Sequence, residues 1–358
     1  MSMRIGTAQP AQRRIDFNIR DSAKVLAAVA SNVDALVTLI DKAGAEKCDV
    51  LALPEDTLGL LHWEADNQNL LEQVLPPAVE LMLCRLGAAA AQHDLYLVCC
   101  NDHLSEGAMY NTAFFLGRDG REIGRYLKVN MPYSELGTRK RGTHFPVFDT
   151  PDLGGVGLLI CYDMVFPEAI RCLALNGADI VFAPTLGGAA IGDSDISRAA
   201  FRTRAVDNFV YLVVSMRQGG SMIIDPKGNI IGEGGSPDDI IITDIDPFTG
   251  RDGGNAFDQQ RDMRARLFRE RSPEAFGVII DPEPPILAKV PTADTPEEIT
   301  RRCNGVLTVG AEQFQAADAL LKEGKTTEAV EALKKLRAEY PGSWIDRVAG
   351  ERIEGKTP

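Results

Sequence analysis

The sequence predicts an α/β protein, a sandwich of sheets with helices outside, extended at its C-terminal end by a small α-helical hairpin. Three observations carry this reading. Short, branched apolar runs at 3–9, 49–53, 95–101, 156–160, 178–183 and 209–215 have the length and composition of buried strands. Segments with apolar residues at helical spacing alternate with several of them. Two hairpins, over Arg118-Asp119-Gly120 and Pro226-Lys227-Gly228, interrupt that alternation, which sets the fold apart from a purely parallel doubly wound sheet.

In chain order, strand 3–9 leads to a helix expected over 32–46, with Val33, Leu36, Val37, Ile40 and Ala43 on one face. The run 49–53 stops at Pro54, and Glu55 follows at the strand's C-terminal end, the edge where layered α/β folds usually meet ligands. Taken alone, such an acid is more often a turn or cap residue. A helix over 71–93 and a strand over 95–101 precede the hairpin 110–117/122–127, whose second strand delivers Lys128. A lysine at a strand end is ordinarily solvated. Glu135 and the run Arg139-Lys140-Arg141 lie in the next loop, and the run reads as a wet loop in preference to a site for a substrate carboxylate.

Strand 156–160 ends at Cys161, and Pro167-Glu168 supplies the proline and acid of a first helical turn. Such a corner would aim the free N–H groups of the helix at the sulfur and favour its thiolate. A small core residue is the other reading of Cys161. Strand 178–183, helix 194–207, strand 209–215, hairpin 220–225/229–233 and strand 240–245 complete the body. The body is expected to span 1–280. Residues 281–296, with five prolines, read as a semi-extended linker. Residues 297–358 form the extension, with a helix pair over 311–340 broken at Gly324 and stopped by Pro341, similar to one tetratricopeptide-type hairpin. A solitary repeat of that kind has to pack on its own body or on a second subunit.

Composition narrows the function classes. The chain has 358 residues, 45% hydrophobic and 25% charged, enough for one large α/β domain and something smaller. A net charge of −13, from 38 basic and 51 acidic residues, would repel phosphate backbones and anionic membranes, so nucleic acid and membrane are not expected partners. No signal-peptide pattern and no bilayer-length span are expected, and seven cysteines without framework spacing point to reduced thiols in the cytoplasm. The absence of C-x-x-C and H-E-x-x-H, with only four histidines, gives no support for a metal. Nor is there a dinucleotide or phosphate loop or a G-x-S-x-G elbow. No cofactor is expected.

Together, Pro54-Glu55, Tyr126-Leu127-Lys128, Glu135 and Cys161-Tyr162-Asp163-Met164-Val165-Phe166-Pro167-Glu168 resemble the nitrilase superfamily of carbon–nitrogen hydrolases. Asn176-Gly177-Ala178-Asp179, Arg204-Ala205-Val206-Asp207-Asn208 and Gly220-Ser221-Met222-Ile223-Ile224-Asp225-Pro226-Lys227-Gly228 extend the resemblance to about residue 280. It implies a four-layer αββα sandwich and a catalytic triad of Glu55, Lys128 and Cys161. Glu55 would serve as base, and Lys128 with the Tyr162 backbone N–H as oxyanion hole. Glu135 matches a second glutamate that would hold Lys128 and help shape the substrate pocket.

The octapeptide after the strand is similar to ω-amidase-like branches, whereas true nitrilases tend to carry Trp-Glu after the cysteine. A small-molecule amide or N-carbamoyl substrate is therefore expected. The alternatives are a nitrilase, an amide-forming acyl transferase, or a dormant scaffold that binds partners through its tail. Pocket candidates are Tyr162, Phe166, Thr185, Leu186 and Met216, each equally readable as packing near the site. The chain departs from the family pattern at Val129-Asn130-Met131, where a His-Leu pair is common, at Gly142-Thr143-His144, and in the short segment between Ser215 and Gly220. The resemblance also implies a homodimer or larger homo-oligomer.

Overall fold

The computed structural model describes residues 2–132, 135–186, 194–217, 219–248, 263–289, 311–341 and 344–355. Its first half runs β1 (Met3–Gln9), α1 (Ser22–Ala45), β2 (Val50–Ala52), α2 (Leu61–Asp66), α3 (Leu71–Gln92), β3 (Tyr96–Ser105), β4 (Ala108–Leu116) and β5 (Glu122–Leu127). The second half runs β6 (Val147–Thr150), β7 (Gly154–Leu158), α4 (Pro167–Leu175), β8 (Ile180–Pro184), α5 (Ser194–Asn208), β9 (Tyr211–Ser215), β10 (Met222–Ile224), β11 (Ile230–Glu233) and β12 (Asp239–Ile245). Two six-stranded sheets result, ordered β12-β1-β2-β3-β4-β5 and β11-β10-β9-β8-β7-β6.

Each sheet has a parallel trio at its centre, β1-β2-β3 in one and β7-β8-β9 in the other, with antiparallel strands outside. A parallel strand covered on both faces needs a continuous apolar run, which is what Val50-Leu51-Ala52 and Ile180-Val181-Phe182-Ala183 supply. The inner faces share one core, in which Ile5, Val98 and Phe115 of the first sheet meet Val156, Val181 and Val213 of the second. Thr7 and Ser215 join the sheets directly through hydroxyls 2.8 Å apart. Outside, α1 and α3 bury Val25, Val29, Leu36, Val74, Met82 and Leu86 on the first sheet. On the other side, α4 and α5 bury Ile170, Leu173, Phe201 and Ala205 against the second. The four layers are thus α, β, β and α.

Several boundaries differ from the sequence reading. α1 begins at Ser22, because Asp21 caps it by accepting the Ala23 and Lys24 N–H groups, and Val25 and Val29 prolong the buried stripe. α1 and the stretch Gln68–Gln92 are long and apolar enough to cross a bilayer, with mean hydropathies of 1.6 and 1.4, contrary to the expectation of no such span. Here they lie side by side over the first sheet and form its outer core.

The remaining elements are α6 (Met263–Arg269), α7 (Ala311–Lys322), α8 (Thr326–Glu339) and α9 (Trp344–Ile353). α9 is a third helix beyond the expected pair, and its Ile345 and Ala349 help close the core of the helical unit. Pro341 does end α8, but the apolar spacing resumes within a few residues. In the proline-rich stretch, Pro285–Lys289 forms a 3-10 turn, and the rest of that linker from residue 290 onward lies outside the described residues.

Candidate active site

β5 runs parallel in direction to β3, since each pairs antiparallel with β4. The chain segments leaving β2, β5, β7, β8 and β9 therefore converge at one edge of the sandwich. Glu55 follows β2 on a turn that Thr57 pins to β3: the Cys100 N–H donates to the Thr57 hydroxyl, and the Thr57 N–H donates to the Cys100 carbonyl. The carboxylate is 3% exposed and fully engaged. Its Oε1 accepts from Asn111 Nδ2 at 2.8 Å and from Lys128 Nζ at 3.2 Å, and its Oε2 accepts from the Leu186 N–H at 3.1 Å.

Lys128, ambiguous as a strand-end lysine taken alone, is buried. Its Nζ sits between Glu55 Oε1 and Glu135 Oε1, the latter at 2.8 Å. Burial alone would push the ammonium down, but the two carboxylates reverse that and hold it well above the usual lysine value. The lysine is a fixed cation. Burial raises Glu135 against the pull of Lys128, and its Oε2 is buried without a hydrogen-bond partner among the described residues.

The Glu135 loop is not held as a wet loop. Arg139, one helical turn on, is a buried guanidinium that donates through Nε to Asp102 Oδ1 at 2.8 Å, through Nη2 to Asp102 Oδ2, and through Nη2 to Glu64 Oε2 at 3.2 Å. Lys140 and Arg141 remain exposed. Burial would lower Arg139, yet Asp102 and Glu64 keep it above its ordinary value. Glu64 itself is pushed well up, first by burial and then by the charge of Asp102. Arg139, Asp102 and Glu64 come from three separate elements, which is why sequence reasoning missed them.

Cys161 follows β7 with φ +44°, a left-handed conformation that strains a residue other than glycine. Its thiol lies beside the Glu55 carboxylate and the Thr185 side chain. The sequence expectation of a thiolate favoured by a helix N-terminus is not met. α4 starts only at Pro167, after a 3-10 turn over Cys161–Val165. Burial, and then the negative charge of Glu55, push the thiol up to about 12, with Lys128 and Thr185 opposing. The resting pair is a neutral thiol beside a hydrogen-bonded carboxylate.

Asp163 holds this corner against the strand that carries Lys128. Its Oδ1 accepts from the Asn130 N–H (2.8 Å) and side-chain amide (3.0 Å), and its Oδ2 from the Tyr126 hydroxyl (2.7 Å) and the Ile160 N–H (3.1 Å). Tyr126 and Asn130 flank Lys128, and Ile160 precedes Cys161, so one buried carboxylate sets the spacing of thiol and ammonium. Asn130, one of the departures from the family pattern, is thereby tied into the framework. A polar Asn111 within the apolar run of β4, and Asp163 within the octapeptide, were the signals available in the sequence.

The other expected pocket residues divide. Tyr162 and Phe166 are half-buried and meet edge to face at 5.5 Å. Thr185 lies beside the Cys161 thiol and opposes the rise in its pKa. Leu186 contributes its backbone N–H to Glu55. Met216 is buried, and its N–H donates to the Ser221 hydroxyl at 2.9 Å. Beside it, the buried Arg217 guanidinium donates to the Glu55 carbonyl at 3.3–3.4 Å and lies 3.8 Å from the Asp56 carboxylate. Among the described residues no group of three or more His, Cys, Asp or Glu is arranged to hold a metal ion.

Comparison with known proteins bears on the family and the fold. The sequence profile of the family described as carbon–nitrogen hydrolase matches residues 4–252. A deaminated glutathione amidase of Synechocystis sp. is 34% identical over 161 residues, which span 39% of this chain and 59% of that one. An N-carbamoylputrescine amidase of Arabidopsis thaliana is 24% identical over 282 residues, 70% of this chain and 91% of the relative. An omega-amidase of Homo sapiens is 29% identical over 182 residues, 45% of this chain and 65% of the relative.

Among solved structures, a mutant amidase from Nesterenkonia sp. AN1, with the acetamide moiety of fluoroacetamide added covalently at its active-site cysteine, superposes with a TM-score of 0.60. It is 22% identical, and the match covers 76% of this chain and 95% of that one. The NitFhit protein of C. elegans gives 0.62 at 23% identity, covering 76% and 66%. These likenesses bear on the fold, which is that of the nitrilase superfamily.

Proposed function

The chain belongs to the carbon–nitrogen hydrolase family, and from that premise we propose that it hydrolyses small-molecule amides or N-carbamoyl compounds through a thioester on Cys161. One observation carries the proposal: the Glu55 carboxylate accepts from the Lys128 ammonium at 3.2 Å and lies beside the Cys161 thiol. A neutral thiol needs a base at the moment of attack, and Glu55 is in reach to take its proton. The sulfur then bonds to the substrate carbonyl carbon. Charge developing on the oxygen meets Lys128 and the Tyr162 backbone N–H; losing one such donor typically costs about 3 kcal/mol of transition-state stabilisation. Collapse breaks the C–N bond, and Glu55 returns its proton to the departing ammonia or amine. Water, deprotonated by the same carboxylate, cleaves the thioester and regenerates the thiol.

Glu135 has two tasks in this scheme. Oε1 holds Lys128, and the unpartnered Oε2 is free to accept an N–H from the substrate amide, whose oxygen cannot usefully meet a carboxylate. The relatives named as amidases and as an N-carbamoyl amidase support the substrate class. A panel of primary amides, N-carbamoyl amines and nitriles, assayed for ammonia, is expected to show turnover of the first two classes. Ammonia from nitriles alone would refute the assignment.

The proposal extends to assembly and compartment. Leu175 of α4 and Ile196 and Val206 of α5 are 43%, 54% and 38% exposed on one outer layer, a surface suited to pairing two sandwiches back to back. Sedimentation at micromolar concentration is expected to give a dimer or larger species, and a monomer would refute the pairing. Six free cysteines among the described residues fit a reducing, cytoplasmic setting.

A further inference from the structure

We propose that the C-terminal three-helix unit is a positioning element for Glu55, acting through Phe17. The inference rests on the reading of Glu55 as the base. Phe17 lies in the loop between β1 and α1, on the catalytic body, yet it is buried in the core of the C-terminal unit with Phe314, Ala317, Leu333, Leu336, Ile345 and Ala349. The rings of Phe17 and Phe314 are 5.3 Å apart. Beside them Arg14 of the same loop pairs with Glu351 of α9. A helical unit this small cannot bury its apolar residues alone, and here a side chain from the catalytic body completes its core.

The same loop is interlocked with the turn that carries Glu55. The Ile15 N–H donates to the Gly59 carbonyl at 3.0 Å, and the Asn32 amide bridges the Arg13 and Leu58 carbonyls at 3.0 and 2.8 Å. Gly59 has φ +77°, and a Cβ there would stand 2.0 Å from the Arg13 carbonyl oxygen, so the two segments touch with no room between them. Asp56 closes the turn by accepting the Leu60 and Leu61 N–H groups at 2.7 and 3.1 Å. Elsewhere the loop is anchored by Asn67 Nδ2 to the Phe17 carbonyl (3.0 Å) and by Trp63 Nε1 to the Ile19 carbonyl (2.7 Å). A continuous packed path therefore runs from the helical core through Phe17, Ile15 and Gly59 to Glu55. Because a misplacement of about 1 Å at a reacting group can cut a rate about a hundredfold, freeing this loop reaches the chemistry without touching it.

The test uses the full chain with Phe17→Ala, and Phe17→Leu as the conservative variant. Base function is read without any amide, as the rate at which 2-iodoethanol alkylates Cys161, followed by peptide mass. The exposed Cys84 serves as internal control. Phe17→Ala is expected to expose α7–α9 to hydrogen exchange, to slow alkylation of Cys161 by about tenfold to a hundredfold, and to lower kcat more than it changes KM. Cys84 alkylation stays constant, and Phe17→Leu restores most of the rate. Should Phe17→Ala not fold, Phe314→Ala disrupts the same contact from the other side.

Loss of helix protection with unchanged alkylation and unchanged kcat would overturn the proposal and leave the unit a tethered passenger. Slower alkylation in a protein that turns over no amide would uphold the positioning role while refuting the substrate assignment.

Discussion

Lys128→Leu is expected to abolish measurable hydrolysis and to lower stability by about 3–5 kcal/mol, the usual consequence of leaving a buried charge without its partner. The side chain is fully buried between two carboxylates, so leucine fills comparable volume while Glu55 and Glu135 lose the cation that joins them. Burial already raises Glu135, and Lys128 is the charge that most opposes this. Without the ammonium, the folded-state value of Glu135 moves further above its unfolded one. An acid with a higher pKa folded than unfolded loses stability as pH rises through the unfolded value. The deficit should therefore be greatest at neutral pH and shrink toward about pH 4. Urea denaturation at both pH values measures this directly. Lys128→Arg separates the two roles. Its charge should restore part of the stability, but a planar guanidinium cannot present the compact ammonium that the oxyanion requires, so turnover stays absent. A stable, active Lys128→Leu protein would remove the lysine from the mechanism.

Much of the site was legible because its parts lie at strand ends. Apolar runs locate strands, and an acid, a lysine and a cysteine just beyond three of them fall on one edge once the strands align. Local pattern does not carry long-range pairing. Arg139 reads as one member of a solvated basic run until Asp102 on β3 and Glu64 on α2 are brought to it. Lys128 is ambiguous by itself until a loop and a turn close over it. The error about Cys161 had a similar origin: the helix-end argument considered one short segment, whereas burial and the Glu55 carboxylate, contributed by the rest of the fold, dominate the thiol. The helix boundary at Ser22 was obscured by a run of small residues that weakens the apolar stripe, and α9 by the proline that precedes it.

Glu55→Gln should reduce kcat by about 10³–10⁴-fold, the upper part of the range for a lost general base, while leaving the protein folded. The amide oxygen can still accept from Asn111 and Lys128. The amide nitrogen then faces the Leu186 N–H, one donor against another, so a modest loss of stability accompanies the substitution. The thiol provides the sharper readout. In the parent protein its proton has a carboxylate to go to, so alkylation should rise with pH by less than a decade per unit. In Glu55→Gln the negative charge that helps raise the thiol is gone, but burial, the larger cause, remains. Cys161 then depends on bulk hydroxide, and its alkylation should climb about tenfold per pH unit through the neutral range. An activated ester needs no proton for its leaving group, so Glu55→Gln should form the acyl adduct slowly and retain it, because the water that would cleave the thioester has also lost its base. Intact mass after brief exposure should show that adduct in Glu55→Gln and not in Cys161→Ala. Rapid turnover with no retained adduct would mean that another group takes the proton.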